Sequence, residues 1–180
     1  MNDNEKDEPV SKSPFWRFSV KFYGMPGVAQ ACIELQDQAK VDVNVLFFLL
    51  WNATQSRALN ADEVAKVEGA IGPWREMTVV PIRNVRRALK SPPSVMAPEA
   101  AESLRSRIKA VELEAERLQQ EALYGLAESG GFGRPAASPI QAAQDSVSSY
   151  QGVIGPFPPG PLETVLSAFA NFKSQRHARP

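Results

Sequence analysis

The chain has 180 residues, 43% hydrophobic and 22% charged, and its 20 basic and 20 acidic side chains cancel to a formal charge of zero. That length suits one domain with a substantial core, and so ordinary a composition argues against wholesale disorder. The balanced charge speaks against nucleic acid as a partner, because phosphate backbones are bound through a basic excess.

Cys32 is the single cysteine, so no intrachain disulfide can form, which fits a reducing cytosol. Residues 1–12 are polar and acidic and predict a disordered lead, without the basic start and apolar stretch of a signal peptide. The longest apolar run, Val45 to Trp51, is far short of the roughly 20 residues that cross a bilayer. No membrane span is expected, and the predicted localisation is cytoplasmic.

Ser13-Pro14 reads as an N-cap with proline at the first helical position, opening a short helix that ends at Gly24. After the Met25-Pro26-Gly27 turn, Val28, Ala31, Cys32 and Leu35 recur at helical spacing on a segment running to Lys40. Asp42 then caps Val43 to Trp51, a stretch apolar on every side, which places it at the centre of a bundle. Asn60 and Glu63 resemble a capping box for a helix to Ile71. Gly72-Pro73 is expected to break that helix and to start another from Trp74 to Lys90, with Pro81 kinking or dividing it. Ser91-Pro92-Pro93 is a further break, and Pro98 starts the longest periodic segment, to about Glu128.

At Ser129 the composition turns to Gly, Pro, Ser and Ala, which predicts a flexible linker. Beyond it, Leu162, Val165, Leu166, Phe169 and Phe172 share one face of a terminal amphipathic helix, expected to fold back or to dock on a partner. The predicted architecture is all-α, a compact bundle of about six helices with a long C-terminal helix, joined by short links. Its divisions are a lead (1–12), a helical domain (13–128), a linker (129–160), and an amphipathic helix with a basic tail (161–180).

The clearest surface signature lies on Trp74 to Lys90. Trp74, Met77, Pro81, Val85 and Ala88 fall on one side, while Arg75, Arg83, Arg86, Arg87 and Lys90 fall roughly opposite. Such an Arg strip can clamp a carboxylate or phosphate bidentately, hold an acidic partner, or pair with neighbouring helices. Trp51 and Trp74, with Trp16, are candidates for lining a pocket, although large aromatics mostly fill cores. On the long segment, Ala101, Ile108, Ala115 and Ala122 alternate with Leu104, Val111 and Leu118 as a heptad. That seam predicts packing on the protein's own bundle, or a parallel homodimer in which Arg107 meets Glu112.

Catalytic motifs are lacking. The one histidine, His177, stands three residues from the C-terminus, which disfavours His-based triads and metal sites. Cys32 has no base within its pattern and reads as structural. Gly130-Gly-Phe-Gly-Arg-Pro135 has no preceding strand and no P-loop lysine, so it is no phosphate loop. Glu34/Asp37 and Glu112/Glu116 have helical spacing and read as solvated pairs, and the Asp3/Asp7 pair lies in the lead. No catalytic residue, metal or cofactor is predicted. The favoured reading is a non-enzymatic protein-interaction or adaptor module with an unknown protein partner, ahead of an anionic-ligand binding protein or enzyme.

Three blocks carry a family resemblance. They are Phe15-Trp16-Arg17-Phe18-Ser19 through Ala31-Cys32-Ile33-Glu34-Leu35-Gln36-Asp37; Asp42-Val43-Asn44-Val45-Leu46 through Leu50-Trp51; and Pro73-Trp74-Arg75-Glu76 through Arg86-Arg87-Ala88-Leu89-Lys90. In this order they resemble the bacterial, mainly proteobacterial, domain-of-unknown-function family 2390, over about residues 14–128. The resemblance implies a small cytoplasmic helical protein and supplies no site residues.

Overall fold

A computed structural model describes residues 12–177. Residues 1–11 of the lead, with Asp3 and Asp7, and the last three residues of the basic tail lie outside the described residues. The fold is all-α: α1 (Pro14–Tyr23), α2 (Val28–Ala39), α3 (Val43–Ala53), α4 (Ala61–Trp74), α5 (Val80–Ala88), α6 (Pro98–Gly130), α7 (Pro139–Ile154) and α8 (Pro159–His177). The sole strand pairing among the described residues joins β1 (Arg57–Ala58) to β2 (Arg134–Pro135), antiparallel, with Arg57 opposite Pro135.

α3 is the centre, as its uniform apolarity requires. Val45, Leu46, Phe48, Leu49 and Leu50 are fully buried, and α1, α6, α7 and β1 pack around them. The expected caps form. Ser13 accepts from the Trp16 amide, Asp42 accepts from the Asn44 and Val45 amides, and Asn60 and Glu63 complete a capping box.

One expected break is absent, and Pro81 divides the segment as expected. α4 runs through Pro73 to Trp74, so Gly72-Pro73 does not divide the helix there. Pro73 is exposed, and carbonyls on the solvent side of a helix can tilt outward to water and make room for the ring. The break falls one turn later, as a π-helical segment over Arg75–Val79 in which the Val80 amide donates to the Arg75 carbonyl, five residues back. Pro81 follows directly. A proline lacks the amide for the regular ladder and crowds the carbonyl four residues earlier, and the wider turn relieves both.

The stretch expected to be a linker holds α7. Ser138 caps it and Pro139 opens it, while Ala142, Ala143, Ser146, Val147 and Tyr150 form its buried stripe. Three of those five are Ala or Ser, and their small side chains let α7 lie close against α3 and α4. Composition concealed the helix because its glycines and prolines sit chiefly at its boundaries. The preceding Gly-rich turn is fastened by Arg57, whose guanidinium donates to the carbonyls of Gly131, Phe132 and Gly133 at 3.1, 2.7 and 2.7 Å. Gly133 needs its φ of +82° here, and a Cβ at that position would stand 3.1 Å from Cβ of Arg57.

α8 folds back on α2 and α7. Phe172 meets Phe18 and Phe22 edge-on at centroid distances of 5.4 and 5.9 Å, and Phe169 meets Phe22 at 6.3 Å. Lys173 Nζ donates to the Thr54 carbonyl at 2.9 Å. Phe169→Ala is expected to cost about 3–5 kcal/mol and to lower the melting temperature by roughly 10 °C. An unchanged thermal melt would show that α8 contributes nothing to the core.

Candidate functional site

The Arg strip faces the protein. α5 has no buried residue of its own, yet its Arg side chains reach across to acids on other elements. Arg83 Nε donates to Glu112 at 2.9 Å and its Nη2 to Glu116 at 2.6 Å. Arg86 bonds the other oxygen of Glu112. Arg87 reaches Asp37 on α2 at 2.8 Å, and Arg75 joins Asp42 at 3.0 Å and Glu68 at 2.8 Å. Arg and Glu at spacings of three and four on two facing helices therefore interlock, and Met77, Pro81, Val85 and Ala88 of the apolar side are left outside while Trp74 turns onto α6. Met77 is 71% exposed and Val85 48%.

Asp42 is the most heavily used acid. Its Oδ1 accepts from the Asn44 and Val45 amides, and its Oδ2 accepts from Arg75 and from Gln119 of α6 at 2.7 Å. Its own amide donates to the Tyr150 hydroxyl at 3.1 Å, and that hydroxyl donates to Glu68 at 2.7 Å. One carboxylate thus ties α3, the π-helical segment and α6 together, and α7 joins through Tyr150. Beside these groups lies a polar cleft of about 410 Å3, lined among others by Lys40, Asp42, Glu68, Arg75, Glu116 and Tyr150.

Burial and pairing set the charge states. Burial works against charge on Arg75, but Asp42 and Glu68 more than offset it and hold its pKa above the ordinary value. Burial likewise works against Glu112, and hydrogen bonds from Arg86 and Arg83 overcome it, so its pKa lies below the ordinary carboxylate value. Glu116 goes the other way. Its burial, with Glu112 and Asp42 as like charges nearby, outweighs Arg83 and raises its pKa. Tyr150 is raised by burial and then by Asp42 and Glu68.

Glu112 and Glu116 are accordingly not the solvated pair expected of them. Glu112 is 5% exposed and taken by two guanidiniums, so it is unavailable to Arg107 of a parallel partner helix. The tryptophans do not gather. Trp51 packs against Phe15, Phe48 and Tyr124, while Trp74 donates its indole N–H to the Ala115 carbonyl at 3.1 Å, and neither lines the cleft. Trp16 is buried in the core. Burial pushes the Cys32 thiol up to about 12, which keeps it protonated and inert at neutral pH. Among the described residues no group of three His, Cys, Asp or Glu side chains is placed to hold a metal ion.

Sequence reasoning missed Tyr150 and Gln119 altogether and gave Asp42 only its capping role. Nothing local marks Tyr150, which stands 108 residues from its partner Asp42. The Arg–Glu interlock did leave a signal, in the matching helical spacing of Arg83, Arg86 and Arg87 against Glu112 and Glu116.

Fold and site define an all-α protein clamped by buried and half-buried ion pairs, with no helix among the described residues long and apolar enough to cross a membrane. Residues 14–123, more than half of the chain, match the family described as "Protein of unknown function (DUF2390)", and the chain belongs to that family. No curated protein and no solved structure matches it.

Glu112→Gln leaves Arg83 and Arg86 without their shared counter-charge and is expected to cost about 3 kcal/mol in chemical denaturation. Glu116→Gln has a pH-dependent effect. Because the folded-state pKa of Glu116 lies above its ordinary 4.5, the protonated carboxyl favours folding. That contribution is complete below about 4.5 and is lost as pH rises through the folded pKa. Melting curves of Glu116→Gln and the wild type should therefore shift in favour of the variant as pH rises from 4 to 7, and parallel pH profiles would contradict this assignment.

Proposed function

We propose that the protein is a non-enzymatic, cytoplasmic protein-interaction module whose partner docks on the outer face of the α4–α5 arm. The carrying observation is the inversion of this arm. Its arginines are spent on internal pairs, and its outer side presents Met77 at 71% and Val85 at 48% exposure. Val95 at 87% and Met96 at 51% follow in the loop to α6. Exposed methionine and branched aliphatic side chains in one segment make an adaptable apolar surface for another protein. An unpaired thiol at Cys32 is in keeping with a reducing compartment.

The anionic-ligand reading ranks second. A phosphate or carboxylate in the cleft has to displace Asp42, Glu68, Glu116 or Asp37 from guanidiniums that already have counter-charges. The exposed Arg87–Asp37 pair is the easiest of these to open.

The test is affinity capture from cells that encode the protein, followed by mass spectrometry, with the wild type beside Met77→Asp/Val85→Asp. The expected outcome is loss of one or more captured proteins by the variant at an unchanged melting temperature. Identical captured sets would refute the docking face. Stabilisation of the wild-type melt by inorganic phosphate, lost in Arg87→Ala, would promote the anionic-ligand reading instead.

A further inference from the structure

α6 is 33 residues long, and the bundle covers one side of it. Ala101, Glu112, Ala115, Gln119 and Leu123 are buried against neighbouring helices. About a quarter-turn around the axis, Leu104, Val111 and Leu118 stand 43%, 53% and 44% exposed. They are seven residues apart, so each falls only about 20° from the last and the three form a single stripe. The stripe is about 21 Å long at 1.5 Å per residue. Exposed alanines, Ala100 and Ala122, extend it at both ends.

Charge on the flanks is one-sided. Arg107 and Glu114 lie along one edge of the stripe, both exposed. The other edge carries Ile108 and Ala115 and no charge. This asymmetry discriminates between the two ways of packing a second copy of the helix. Parallel packing sets the charged edge of each helix against the uncharged edge of the other. Glu112, the acid a parallel heptad offers to Arg107, is buried beneath Arg83 and Arg86. Antiparallel packing about a two-fold axis at Val111 sets charged edge against charged edge. Leu104 then faces Leu118 of the second copy, Val111 faces itself, and Ala100 faces Ala122. Arg107 comes beside Glu114, and the symmetry makes that pair twice.

We propose that α6 docks antiparallel on α6 of a second copy of this chain, through Leu104, Val111 and Leu118, with reciprocal Arg107–Glu114 pairs. Glu114 is held in one chain by Arg117 at 2.6 Å, a surface pair three residues along the helix that opens at little cost. Two helices crossing over so short a length bury less than about 1,200 Å2, which places the association among weak, concentration-dependent dimers. This surface is separate from the α4–α5 arm assigned to a partner above. The failure of either proposal leaves the other standing.

Sedimentation equilibrium of the full chain, over two decades of concentration into the high micromolar range, tests the proposal. The wild type should pass from monomer to dimer. Val111→Glu, which puts two carboxylates on the two-fold axis, should abolish the dimer without lowering the melting temperature. Arg107→Glu alone and Glu114→Arg alone should each weaken association at least about tenfold, since each sets like charges together. The double exchange Arg107→Glu/Glu114→Arg should restore it. Three results overturn the proposal: a monomer at every concentration, a dimer indifferent to Val111→Glu, or a double exchange no better than the single variants.

Discussion

Four elements of this fold are referred to one buried carboxylate. Asp42 begins as a local device, the cap of α3, and its two oxygens are then shared with a guanidinium from the π-helical segment and an amide from α6. Its backbone amide bonds the hydroxyl of Tyr150 on α7. A buried anion with so many donors is stable only while all of them stay in place, so each of four elements is held by the positions of the other three. Specificity is the gain. Apolar side chains would bury the same surface without fixing which helix lies where.

The same constraint explains the inversion of the α4–α5 arm. Once Arg75 is drawn to Asp42 and Glu68, the helical period carries Arg83, Arg86 and Arg87 to the inner side of the next turns, where Glu112, Glu116 and Asp37 await them. The π-helical segment adds a residue to one turn just ahead of Pro81 and lets the ring pass. The price is exposure of Met77 and Val85. An arm held by ion pairs on its inner side is free to be greasy on its outer side.

Much of the fold was legible in the sequence. The uniformly apolar run from Val43 told that α3 is central, and the caps at Ser13, Asp42 and Asn60 are local chemistry that needs no tertiary context. What failed to show has physical reasons. α7 is built from Ala and Ser because it lies close to α3, and the small residues that permit such contact are also the residues of linkers. The direction of the Arg strip depended on where its counter-charges lay, and a helix with opposite apolar and cationic sides is compatible with either orientation. Trp51 and Trp74 were recognisable as large and aromatic, but their separate packing partners are set by tertiary placement.

The bond between Asp42 and Tyr150 spans 108 residues of chain, and the family match ends at residue 123. During synthesis the most apolar helix of the protein emerges well before α7, the element that completes its shelter. Contacts of such sequence separation form late, because a long loop must close before they contribute. The last third of the chain therefore supplies the contacts that close the fold around α3, through α7 and its Tyr150 bond to Asp42.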